Sequence, residues 1–110
     1  MPEAAIELFR AVSPFELTDI MTTGEFRPGS PSFQGKWFAE SPTDAAEWGR
    51  RLYGAQPFHL VVVDVPRAVA DSLFVLPNLD GIGPARFAEI DDLPALNATK
   101  LGPIREILIP

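Results

Sequence analysis

Polar and apolar residues alternate near the front of the chain, with Ile6, Leu8, Arg10 and Val12 on one side of an extended segment and Glu7, Phe9 and Ala11 on the other. This period of two predicts a strand over 6–12. Ser13-Pro14-Phe15-Glu16 then reads as a capping box with proline at the first helical position. A helix over 14–23 is expected, with Leu17, Ile20 and Met21 as its apolar stripe and Gly24 as its stop. Residues 25–36 are rich in Pro, Gly and Ser and predict a loop, with Phe26 and Phe33 available to pin it down.

The segment from Gly35 to Trp48 organises the rest. Lys36-Trp37-Phe38-Ala39 is a short aromatic strand that ends at Glu40. Ser41 is placed as an N-cap, Pro42 at the first helical position and Asp44 three residues after the cap, so a helix runs to Tyr53. Its buried stripe is read as Ala45, Trp48, Gly49, Leu52 and Tyr53. Phe58 to Val65 is a nearly continuous β-branched apolar run bounded by prolines, the signature of a central strand, with His59 facing the same way as Val61 and Val63. A short helical turn after Pro66, strands over 73–76 and 85–90, a turn-rich loop over 78–84, a brief turn at Asp91-Asp92-Leu93-Pro94 and a last strand over 104–109 complete the reading.

At 110 residues the chain is read as a single domain, 1–110. Its 46% hydrophobic and 22% charged content describes a soluble globular protein, and the absence of cysteine excludes a disulfide framework and thiolate metal ligands. A net charge of −6, with nine scattered Lys and Arg, disfavours a nucleic-acid substrate, because phosphate-backbone binding needs clustered cations. No signal peptide and no membrane span is expected from the sequence. Asp91 and Asp92 read as a helix start, with no ligand set around them, so no metal site is expected. The 78–84 loop lacks phosphate-loop glycine spacing.

Several side chains stand out against this background. Arg10 shares a strand face with aliphatic residues, where a guanidinium needs a partner or an anionic ligand. Glu106 interrupts the apolar face between Ile104 and Leu108 in the same way. Trp37 and Phe38 head a strand that turns into a capped helix, a suitable wall for a flat anionic ligand. His59, alone in an apolar strand, reads first as structural.

The order of these pieces resembles the ADP-ribosyltransferase superfamily: an Arg in the first strand, Gly35-Lys36-Trp37-Phe38-Ala39 leading into a helix with Ala46 and Trp48, and a Glu in the last strand. In the diphtheria-toxin and poly(ADP-ribose) polymerase branch the positions of Trp37 and Trp48 are tyrosines, and Thr43 stands where that branch has Ser. The segments Leu8-Phe9-Arg10-Ala11-Val12-Ser13 and Arg105-Glu106-Ile107-Leu108-Ile109-Pro110 look most like the toxin domains at the C-termini of bacterial polymorphic effectors, such as those of Rhs-type or type VI secretion systems.

The resemblance implies an α+β fold of two short β-sheets packed face to face, flanked by the helices at 14–23 and 42–53. Its implied activity is NAD-dependent transfer of ADP-ribose to a macromolecular acceptor, expected to be protein. Arg10 would hold the NAD diphosphate or adenosine ribose, Ala11 would offer its backbone to the nicotinamide amide, and Trp37 and Phe38 would flank the nicotinamide ring. Ser41 is a further NAD-binding candidate by alignment with a Ser-Thr-Ser strand. Glu106 would be the catalytic carboxylate, accepting a hydrogen bond from the nicotinamide-ribose 2′-hydroxyl and stabilising an oxocarbenium-like state. Delivery into the cytoplasm of a competing bacterium and a cognate immunity protein belong to the same expectation. The alternatives are an NAD glycohydrolase toxin, a non-catalytic binding or immunity module, and a ribonuclease toxin. Position 104, where arginine-modifying members carry Glu or Gln, is Ile, so an arginine acceptor is not expected.

Overall fold

The computed structural model describes residues 4–29 and 35–110. Its strands are β1 (Ala5–Val12), β2 (Lys36–Ala39), β3 (His59–Pro66), β4 (Phe74–Leu79), β5 (Gly83–Ala88) and β6 (Arg105–Ile107). The helices are α1 (Pro14–Thr23), α2 (Pro42–Tyr53), α3 (Arg67–Asp71) and α4 (Leu93–Thr99), the last preceded by a 3₁₀ turn at Ile90–Asp92. The class is α+β, as expected.

The two face-to-face sheets expected from the sequence are not found. Among the described residues there is one six-stranded sheet in the order β4-β5-β2-β1-β3-β6, antiparallel throughout. Helices, instead of a second sheet, cover its two faces. On one, Ala45 and Ala46 of α2 pack on Phe9, Ala39, Leu60 and Val62. On the other, Ile20 of α1, Ala70 of α3 and Leu93 and Leu96 of α4 pack on Leu8, Val12, Phe38, Val61, Val63 and Val65. Adjacent strand residues point to opposite faces, so the alternation of β1 divides the core into these two layers.

The helix boundaries follow from their caps. Ser13 Oγ accepts the Glu16 N–H at 3.1 Å, and Gly24, at φ 73°, closes α1 by donating its N–H to the Ile20 carbonyl. Ser41 does the same for α2 through the Asp44 N–H at 3.2 Å. Two stripe positions miss the core: Met21 is half-exposed and Leu52 is 73% exposed. Phe26 is buried edge-on against Phe38, with ring centroids 5.1 Å apart, and its backbone is held at both ends by the Asn97 amide at 2.8 Å. This anchors the start of the predicted loop to α4; Phe33 lies outside the described residues. The turn read at 91–94 is instead the entrance to α4, because proline is tolerated in a first helical turn and Leu93 and Leu96 have apolar surface to bury.

The β4–β5 connection is a tight hairpin. Asp80 (φ 55°) and Gly81 (φ 73°) are both left-handed, as a type I′ turn requires, and the Ile82 N–H closes onto the Leu79 carbonyl at 3.0 Å. Arg86 ties this hairpin to the rest. It is nearly buried, donating to Glu40 at 3.0 Å, to the Ala70 carbonyl at 2.6 Å and to Asp71 at 3.1 Å.

Candidate functional site: a split between β1 and β2

Strand β1 pairs with β3 along its whole length, from Ala5↔Pro66 to Val12↔His59. Toward β2 it shows a single register pair among the described residues, Phe9↔Ala39. Beyond Phe9 the two strands part, and the Arg10 side chain fills the wedge. Its Nη1 donates to the Trp37 carbonyl at 3.1 Å, where a ladder bond from β1 would otherwise be sought. Its Nε and Nη2 grip Glu16 of α1 at 2.7 and 2.9 Å. Lys36 Nζ reaches the same carboxylate at 3.1 Å. Glu16 is therefore the partner that Arg10 needed. Its carboxylate serves these two cations instead of closing the second half of the capping box, which is why the role was hidden in the sequence motif.

Electrostatics follow from that geometry. Burial alone would push the Glu16 carboxyl up, but the hydrogen bond and charge of Arg10, joined by Lys36, outweigh it and hold the group below the ordinary carboxylate value. Lys36 is lowered by burial and by Arg10, with Glu16 acting the other way. Tyr53, at the end of α2, is raised by burial first and by the Glu16 carboxylate, against the Arg10 charge and a Ser13 backbone hydrogen bond. One carboxylate between two cations leaves this cluster with one positive charge in excess.

A cavity of about 510 Å³ opens at the split, lined by Phe9, Arg10, Ala11, Trp37, Trp48, Arg51, Leu52, Leu79 and Asp80. Four elements build it: β1, β2, the exposed side of α2 and the β4–β5 hairpin tip. Both tryptophans of the chain stand in its wall. Trp37 is braced from behind by Phe87, its β5 partner in register, at 4.7 Å between ring centroids, and by Phe74 at 6.5 Å. Trp48 Nε1 is buried and, among the described residues, has no hydrogen-bond partner. A concave, mostly aromatic and aliphatic cavity of this size with Arg10 and Arg51 among its lining residues suits a flat, polar, anionic ligand of drug-like dimensions.

The structure brings together some of the residues singled out in the sequence and separates others. Arg10, Ala11 and Trp37 converge on the cavity. Phe38 does not, because strand alternation turns it to the opposite face, where it is fully buried; it cannot flank a ring together with Trp37. Ser41 is absorbed in capping α2 and does not line the cavity.

Glu106 is also separated from it. Glu106, Val61 and Arg10 form one cross-strand row, so two strand spacings put the Glu106 and Arg10 backbones about 10 Å apart. That row belongs to the face opposite Trp37. Arg10 still borders the cavity because β1 and β2 part beside it and it reaches across to the Trp37 carbonyl, whereas Glu106, two strands away, does not line it, and its Oε2 meets His59 Nδ1 at 2.9 Å on the edge of the sheet. Arg10 and Glu106 are thus each paired, but not with one another. Sequence reading missed Arg51, Asp80 and Glu16 as neighbours of the site. A helix stripe assigns Arg51 to solvent, and only the hairpin register brings Asp80 across to it.

No group of three or more His, Asp or Glu positioned for a metal ion occurs among the described residues, and none of their helices is long and apolar enough to cross a membrane. No family model, curated protein or solved structure significantly matches the chain.

Proposed function

We propose that this protein is an NAD-dependent mono-ADP-ribosyltransferase whose substrate enters at the β1–β2 split. The observation that carries the reading is the juxtaposition of Arg10, Ala11 and Trp37, from two strands distant in sequence, around a cavity at the point where those strands part. These are three of the residues that the resemblance assigns to NAD. In the reading, the Trp37 indole stacks on the nicotinamide ring, and β1 beyond Phe9, with no β2 partner in register, offers main-chain groups to the amide. Arg10 props the split open and contributes positive field.

The carboxylate that meets the oxocarbenium-like state is open to assignment by experiment. Glu106 lies off the cavity, Asp80 borders it, and Glu89 directly follows β5, two residues beyond the Phe87 that faces Trp37. The ADP-ribose acceptor is proposed to be a macromolecule of a competing bacterium, reached as a toxin domain of a larger secreted effector. NAD glycohydrolysis differs only in using water as acceptor.

The test is nicotinamide release from NAD by the purified chain, with and without bacterial lysate. Trp37→Ala is expected to lower kcat/KM by at least tenfold while leaving the protein folded. Single Glu106→Gln, Asp80→Asn and Glu89→Gln variants then locate the carboxylate, as the one whose loss costs orders of magnitude in kcat. Lysate-dependent release marks a transferase, and lysate-independent release a glycohydrolase. No release in either condition removes the enzymatic reading.

A further inference from the structure

The expectation that Arg10 grips the ligand's diphosphate meets a physical obstacle. All three of its guanidinium nitrogens already donate to protein acceptors, two of them in a paired geometry to one carboxylate, and its side chain is only 18% exposed. Turning it toward a ligand would leave Glu16 half-paired and the Trp37 carbonyl without its donor, a costly exchange away from water.

Arg51 is the other cation bordering the cavity, and its situation is the reverse. Its side chain is 55% exposed; Nε makes a long 3.3 Å contact to Glu47 one helical turn away, and Nη1 donates to the Asp80 carbonyl at 3.1 Å. Among the described residues Nη2 makes no hydrogen bond. The Asp80 carbonyl is fixed by the type I′ turn, so the hairpin tip holds the guanidinium plane near the cavity border with Nη2 left to donate. An exposed helix pair such as Glu47–Arg51 is weak and screened by solvent, and a charge-assisted phosphate contact exceeds it.

We infer that Arg51, and not Arg10, is the direct anion contact of this cavity, and that it binds the diphosphate of a nucleotide such as ADP-ribose or the corresponding part of NAD. Arg10 is a positioning residue that sets the width of the split. The excess positive charge of the Arg10–Lys36–Glu16 cluster adds to the attraction, while Glu47 and Asp80, on the other side of the guanidinium, limit it. The inference rests on the proposed nucleotide-binding reading but does not need the transfer reaction.

The experiment is calorimetric titration of the whole chain with ADP-ribose and, separately, with nicotinamide. Arg51→Ala is expected to weaken ADP-ribose binding at least tenfold and to leave nicotinamide binding unchanged. Arg27→Ala, an exposed arginine paired with Asp19 away from the cavity, should change neither. Equal ADP-ribose affinity in wild type and Arg51→Ala overturns the inference, as does wild-type protein that does not bind ADP-ribose at all. Arg51-dependent ADP-ribose binding without nicotinamide release from NAD sustains the inference and removes the transferase reading. Nicotinamide release with an unchanged KM for NAD in Arg51→Ala does the opposite.

Discussion

One strand, β1, has two very different neighbours. Toward β3 it is zipped from end to end, with Leu8, Val12, Val61, Val63 and Val65 fully buried on one face and Leu60 on the other. Toward β2 it holds at one pair, and the space beyond is occupied by an arginine, a shared carboxylate and a cavity. The β1–β3 side is apolar, continuous and regular, as a fold nucleus should be. The β1–β2 side is charged and half-open, and polar groups there are satisfied by side chains in place of a ladder. The regular pairing thus lies on one edge of β1 and the cavity on the other.

This contrast is easiest to break from the zipped side. Leu60→Ala removes a fully buried side chain beneath α2 and is expected to cost about 3 kcal/mol in urea denaturation. Glu16→Ala attacks the split: it strands Arg10 and the nearly buried Lys36 without their carboxylate, at an expected cost of about 2 kcal/mol, less than for a fully dry pair. The replacement should also weaken any ligand of the cavity, because Arg10 is then free to leave the wedge. Leu60→Ala, by contrast, should lower stability with little change in ligand affinity at temperatures where the variant stays folded.

The third prediction concerns pH and sharpens the assignment of the split to electrostatics. A Glu16 carboxyl held below its ordinary value of 4.5 contributes stability that is present above that value and is lost as pH falls through the lower folded-state value. Denaturation midpoints should therefore fall below about pH 4.5, and Glu16→Gln should flatten that limb. At the alkaline end, Tyr53, raised above its ordinary 10.0, contributes stability below that value and loses it as pH rises through the folded one. Tyr53→Phe should remove that smaller effect.

Much of the zipped half was legible in the sequence. Periodicity gave β1 and β3, and the Ser-Pro starts gave α1 and α2 within a residue of their observed ends, because caps and period-two alternation are local chemistry. The split was not legible, since strand register is a long-range property. The expectation of two packed sheets failed because the apolar faces of a single sheet are covered by α2 on one side and α1, α3 and α4 on the other. Alternation already forbade Trp37 and Phe38 from facing one ring, and the family-like motif masked that constraint. Glu106 reads in the sequence as interrupting an apolar face over 104–109, but the observed strand is the short, exposed Arg105–Ile107 and Leu108 is 92% exposed, so no such face is there to interrupt. The partner of Glu106 proved to be His59, one diagonal step across the sheet, and not a ligand shared with Arg10.

The central claim is that the split between β1 and β2 is where a ligand binds. Both tryptophans line that cavity, so the two indole N–H signals of a ¹H–¹⁵N spectrum report on it directly. Titration with NAD is predicted to shift both, along with the backbone amides of Phe9 to Ala11, and to leave those of His59 and Glu106 in place. Shifts confined to His59, Glu106 and their neighbours on the opposite face, with both indoles unmoved, would contradict the account.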